Sequence, residues 1–229
     1  MHEVIDKQEP TIPSLCDVLK HSSRDHHRHA ERTGVIRQMV KRQISRAQYA
    51  VYLRNLYPVY RALEHRLATL CLSPGFELIT DPALARSQSI EQDMSNLIGI
   101  DWQDRFELME SAEIYADRIA AASLSQLVAH AYVRYLGDLN GGQIVKRLLR
   151  EALELTDREL SFYDFPDIDN IPDFRLRFRA SLNALSGNLD IESVISETLS
   201  AFQMATALSI SAVDSESSEP QLELVNARA

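Results

Sequence analysis

The stretch LKHSSRDHHRHAERT, residues 19–33, carries four of the seven histidines of this chain: His21, His26, His27 and His29. In a helix, Lys20, Arg24, His27 and Glu31 fall at offsets 0, 4, 7 and 11 and share one stripe. That stripe sets one imidazole between two cations and a carboxylate. An imidazole there can ligate iron. The cations can meet anionic groups of whatever the metal belongs to, and Glu31 can orient the ring through its far nitrogen. The plain alternative is a solvated polar face with i, i+4 pairing. His26 falls with Leu15, Val18 and Leu19 on the less polar face, and it and His29 read as structural or exposed residues.

A second stretch, RYLGDLNGGQIVKRLL at 134–149, places Gly137, Gly141 and Gly142 inside a helical pattern. Each interior glycine costs a helix roughly 0.5–1 kcal/mol relative to alanine. Gly137 and Gly141 share a face, and Gly142 widens the bare strip. Three readings compete with a ligand site: a turn at Asn140-Gly141-Gly142, a small-residue packing face, and a phosphate loop. The absence of a GK[ST] ending and of a preceding strand disfavours the last. On spacing alone, a packing face or a break outweighs a ligand site. Arg134 and Asp138 have the spacing of a helical ion pair, either a weak surface pair or a carboxylate at a pocket rim. Tyr132 and Tyr135 stand near enough in sequence to supply hydroxyls to such a carboxylate. In FRLRFRASLN, residues 174–183, Arg175 and Arg179 share a face suited to carboxylates.

These groups need helices to hold them, and helical periodicity dominates. A first helix is expected over Ser14–Thr33, broken at Gly34, with a short one following in VIRQMVKR. Ser45 and Gln48 form a capping box for a long helix that Pro58 bends. Asp81-Pro82 reads as an N-cap with Pro at N1, opening a helix to Ile98. Further helices are expected over 111–122, 124–155, 173–185 and 190–213, with an aromatic loop SFYDFPDIDNIP between them. No alternating strand and no internal repeat stand out. The expectation is one all-α domain over 13–213 with seven or eight helices, a loose tail over 1–12 and an acidic, disordered tail over 214–229.

Composition narrows the function. The chain has 229 residues, 45% of them hydrophobic, a formal net charge of −9 and a pI near 5.3. That balance disfavours nucleic acid and anionic lipid as partners. Cys16 and Cys71 fit no metal or redox spacing and read as reduced core residues. No apolar run is long enough to span a bilayer and the N-terminus lacks a signal-peptide pattern, so a soluble, cytoplasmic chain is expected; a monomer is expected as well.

RYLGDLNGGQIVKRLL, with LVAHAY before it, closely resembles the signature of the haem oxygenases. HRHAERT resembles the segment that holds their proximal histidine. NLYPVYRALE, FYDFPDI and FRLRFRASLN match in order and approximate spacing, so the resemblance spans roughly residues 13–210. It implies an all-α fold with haem b, both cofactor and substrate, between a proximal and a kinked distal helix. By the match, His27 ligates the iron with Glu31 as its partner. Lys20, Arg24, Arg175 and Arg179 meet the propionates. Tyr132, Gly137, Gly141, Gly142 and Phe202 line the haem. Asp138 is the catalytic aspartate and organises the water that delivers a proton to bound dioxygen; Arg134 and Tyr60 complete the catalytic set. The implied reaction opens the ring at the α-meso carbon to biliverdin IXα, carbon monoxide and ferrous iron. Its electrons come from a donor such as a ferredoxin or a reductase. Asn140 departs from the family, standing where many members have a small hydroxyl residue. The absence of a C-terminal anchor implies a soluble, bacterial-like form. The alternatives are a haem-binding protein without turnover and a helical scaffold without cofactor.

Overall fold

The computed structural model describes residues 13–215. Within them the chain forms ten α-helices and no strand: α1 (Leu15–Ser22), α2 (Arg24–Ala30), α3 (Gly34–Lys41), α4 (Arg46–Ala68), α5 (Ser87–Leu97), α6 (Trp102–Arg105), α7 (Glu110–Ala120), α8 (Leu124–Leu153), α9 (Ile171–Ala184) and α10 (Ile191–Asp214). The expected tails lie outside the described residues, except that Asp214 ends α10 and Ser215 caps it.

Side-chain caps account for half of the α-helix starts, that of α1 by Ser14 among them. Ser45 and Gln48 close the expected capping box on α4, and Ser123 and Gln126 close a second one on α8. Asn170 caps α9 and Asp190 caps α10 with their side chains. Pro58 lies inside α4, which runs on through it.

Four expectations need correction. The described residues form ten α-helices rather than seven or eight, because the first helix splits and the short α6 stands outside the expected set. The first helix is two. Ser23 leaves helical geometry at φ −92°, ψ 3°, and its buried hydroxyl bonds back to the Leu19 carbonyl at 2.7 Å, an alternative to the backbone ladder that serine offers. The Asp81 cap forms, but it starts only a 3₁₀ turn over Pro82–Leu84, and α5 begins at Ser87. Cys16 is buried as expected, and burial pushes its thiol up to about 11. Cys71 is exposed, because α4 ends at Ala68 and leaves it in the turns that follow.

The helix α4 packs on α5 and α7, and α10 lies along α8, α3 and α2. Tyr49, Tyr60, Tyr115 and Phe178 are fully buried among aliphatic side chains, a core rich in phenols. One contact fixes how the α2–α3 corner meets α10. Gly34 has φ +54°, and a Cβ there would lie 2.5 Å from the Ser209 backbone. Next to it, the Val35 N–H donates to Ser209 Oγ at 3.0 Å. Left-handed geometry costs a non-glycine residue about 1–2 kcal/mol, and the clash with backbone adds to it. Gly34→Ala is expected to destabilise the protein by about 3 kcal/mol or more, lowering Tm by roughly 10 °C in a thermal melt. A parental Tm would show that the corner is not locked there.

Candidate functional site

A cavity of about 870 Å³ opens between the N-terminal helices and α8. Lys20, Arg24, His27 and Glu31 line it from α1, α2 and the C-cap of α2, so the stripe survives the break at Ser23. Tyr132, Arg134, Gly137, Asp138, Gly141 and Gly142 line it from α8, Phe202 from α10 and Arg179 from α9. Two proposed residues stay outside the lining. Tyr60 sits behind Asp138, and Arg175 donates to Asn140 Oδ1 at 2.8 Å, at the edge where Asn140 lines the cavity.

Of the four histidines in residues 19–33, His21 and His27 line the cavity, whereas His26 and His29 do not. His26 is turned to Gln203 of α10, its Nε2 3.3 Å from the amide nitrogen. His21 Nδ1 lies 3.4 Å from an Arg24 guanidinium nitrogen. The His27 ring stands edge-on to Phe202 with centroids 5.7 Å apart. Its Nδ1 faces Glu31 at 3.6 Å, which leaves Nε2 as the nitrogen available to a ligand.

The glycines lie in one uninterrupted helix, so the turn reading fails. They do not share one environment. A Cβ on Gly137 or Gly141 would meet nothing within 4 Å, whereas one on Gly142 would meet the Tyr163 ring at 3.5 Å. The first two keep a strip of backbone bare, and the third lets Tyr163 pack closely.

Asp138 is nearly buried, not on the surface. Tyr60 donates to its Oδ2 at 2.5 Å and accepts from Arg134 Nε at 3.1 Å and Nη2 at 2.6 Å. Arg134 itself stays 3.9 Å from Asp138 Oδ1, so the phenol joins acid to guanidinium. Burial pushes the Asp138 carboxyl above its ordinary value, while Arg134, the Tyr60 hydroxyl and Arg86 pull it down. Burial likewise raises the Tyr60 phenol far above its usual range, so it stays protonated and donates. The hydroxyl comes from α4, 78 residues away, rather than from Tyr132 or Tyr135. Tyr135 packs on Phe178 instead.

Tyr52, Phe162 and Tyr163 also line the cavity and carry no sequence assignment. The aromatic density of SFYDFPDIDNIP was the available signal for the last two. Arg86 had none: its guanidinium is buried among the carbonyls of Ala83, Leu84, Phe162 and Asp164, over the Phe165 ring. No described helix is long and apolar enough to cross a membrane.

Comparison with known proteins agrees with this geometry. The "Heme oxygenase" family model matches residues 14–209. "Heme oxygenase 1" of Synechocystis sp. is 34% identical over 195 residues, covering 83% of this chain and 81% of that protein. "Heme oxygenase 2" of Oryctolagus cuniculus is 33% identical over 224 residues, 95% of this chain and 72% of that one. Among solved structures, heme oxygenase-1 from Synechocystis in complex with heme superposes with TM-score 0.79 at 33% identity, over 86% of this chain and 91% of that one. Heme oxygenase from Leptospira interrogans superposes with TM-score 0.80 at 29% identity, over 87% and 100%. The match runs unbroken from the histidine helix through the glycine helix to α10, and by it this chain belongs to the haem oxygenase family.

Proposed function

We propose that the cavity binds haem b with His27 on the iron, and that the chain opens the ring at the α-meso carbon to biliverdin IXα, carbon monoxide and ferrous iron. The observation that carries this reading is the pairing within one cavity of an available imidazole nitrogen with a side-chain-free strip of helix. A flat macrocycle needs both. Bound there, haem supplies the iron that activates dioxygen and the ring that is cleaved.

Each residue has a task that its surroundings support. Glu31, 3.6 Å from His27 Nδ1, is the acid placed to orient the ring. Lys20, Arg24 and Arg179 line the cavity as cations for the two propionates, and Arg175 reaches its edge through Asn140. Arg179 is also 3.4 Å from Asp17, a pair it would share or leave on binding. Asp138 Oδ1 accepts no hydrogen bond within the described residues, so that oxygen is free to hold a water in the cavity. A water on that oxygen would let Asp138 move a proton into the cavity without the carboxylate itself entering it. Tyr60 holds the other oxygen, and Arg134 holds Tyr60. Phe202 braces the imidazole. We place the protein in the cytoplasm as a monomer served by an external donor such as a ferredoxin or a reductase.

Mixing the purified protein with hemin, a reductant and air tests the reading. Decay of the Soret band into a biliverdin spectrum is expected. A stable band would support binding without turnover, and no band would exclude the cavity as a haem site.

The bare strip yields a second test. Because no atom crowds either position, Gly137→Ala and Gly141→Ala should each stabilise the ligand-free protein by about 0.5–1 kcal/mol. Both should weaken hemin binding, read by Soret titration. Loss of stability would place the strip in a packing interface instead.

A further inference from the structure

Asp93 of α5 is fully buried and belongs to none of the contacts described so far. Its Oδ1 accepts from the Ser161 N–H at 2.8 Å and the Ser161 hydroxyl at 2.6 Å, and its Oδ2 accepts from the Phe162 N–H at 2.9 Å. All three donors belong to one short turn, Ser161–Tyr163. The charged neighbour that acts on the carboxyl is another carboxylate, Asp164. Burying a carboxylate without a cation is costly, and costly groups persist where function needs them.

The turn that Asp93 holds forms part of the cavity. Phe162 and Tyr163 both line it. The Phe162 ring stands edge-on to Tyr60 with centroids 5.5 Å apart, and Tyr163 packs beneath Gly142. Tyr163 also offers its carbonyl to Gln143 at 2.7 Å, next to the bare strip. Asp93 is thus two contacts from the Tyr60–Asp138 hydrogen bond and touches neither residue.

We propose that Asp93 is a positioning residue for ring opening: by pinning Ser161 and Phe162 it sets the Phe162 ring against Tyr60, and so sets the hydrogen bond that aims Asp138. The link to ring opening rests on the function proposed above; the link to Tyr60 does not. Burial pushes the Asp93 carboxyl up to about 6, against the three hydrogen bonds that pull it down. Tyr49 of α4 faces it, as do Tyr163 and Asp164 of the connection. Above that pH both oxygens accept; below it one oxygen carries a proton and the pin loosens.

The test uses Asp93→Asn, which keeps the shape but leaves one acceptor oxygen for three donors. Low-field proton NMR of the ligand-free protein should show the Tyr60 hydroxyl, identified by its loss in Tyr60→Phe. In Asp93→Asn that signal should move upfield and broaden. Hemin affinity should stay near the parent's, while biliverdin formation slows about tenfold or more. Ser161→Ala, which removes one donor and keeps the charge, should change both in the same direction by less. A parental Tyr60 signal and rate in Asp93→Asn would overturn the proposal. So would equal losses of affinity and rate, which mark general structural damage. If Asp93→Asn does not fold, Ser161→Ala decides: parental signal and rate overturn the proposal. A parent that leaves hemin intact would defeat the proposed function, and the NMR comparison would still judge the pin.

Discussion

Asp138→Ala is expected to bind hemin as the parent does and to form biliverdin about 10²–10⁴-fold more slowly, the usual worth of a positioned proton-transfer group. The expectation follows from where the carboxylate stands. It lines the cavity with one oxygen tied to Tyr60 and the other accepting nothing. Removing it takes away the acceptor proposed to hold a water and leaves His27 and the lining cations in place. Tyr60→Phe should slow the reaction less, since the carboxylate remains and only its tether is lost. The two variants also differ in their response to pH. The Tyr60 hydrogen bond lowers a carboxyl that burial has raised. If the reaction needs the ionised form, the parent rate falls on acidification through a pKa above the ordinary carboxylate value. Without the phenol that limb moves to higher pH. Single-turnover rates with hemin, reductant and air between pH 5 and 8 read both effects. An unchanged biliverdin yield in Asp138→Ala would remove the aspartate from proton delivery.

His27→Ala should cost the most of any single change at the proximal wall. The imidazole is half exposed to the cavity and held from two sides, by Glu31 at 3.6 Å and by the edge of Phe202. Truncation removes the one lining imidazole whose partner on Nδ1 is an acid. His21, which also lines the cavity, has a guanidinium at that position. Hemin affinity should fall about a hundredfold, at or beyond the range for losing a partner of a metal-ligating histidine. Turnover should vanish with it. Free imidazole fills the space left and should restore part of the parental spectrum. His26→Ala and His29→Ala should behave as the parent, since neither side chain lines the cavity. A parental spectrum in His27→Ala would move the axial role to His21.

How much of this was legible in the chain differs by residue. The stripe Lys20, Arg24, His27 and Glu31 could be read because helical periodicity puts residues three and four apart on one side. It survived even a break at Ser23. The same periodicity joined Arg134 to Asp138, but gave the wrong picture of how they meet. They are 3.9 Å apart and bridged by a phenol. Spacing also could not choose among turn, packing face and ligand site for the glycines. That choice depends on what lies across from each Cβ, and nothing lies within 4 Å of two of them.

The all-α class, the starts of the longer helices and the family were readable from the chain, because caps, periodicity and motif spacing are local and need no partner from elsewhere. The sequence also listed the groups that chemistry would use. Which of them meet was set by helix packing. Tyr60 reaches Asp138 across 78 residues, and Asp93 reaches Ser161 across 68. Arg175 closes on Asn140, and His26 turns to α10 while His27 faces the cavity. Such pairings follow from how whole helix faces pack, and a single hydroxyl or carboxylate has no local pattern that announces its distant partner.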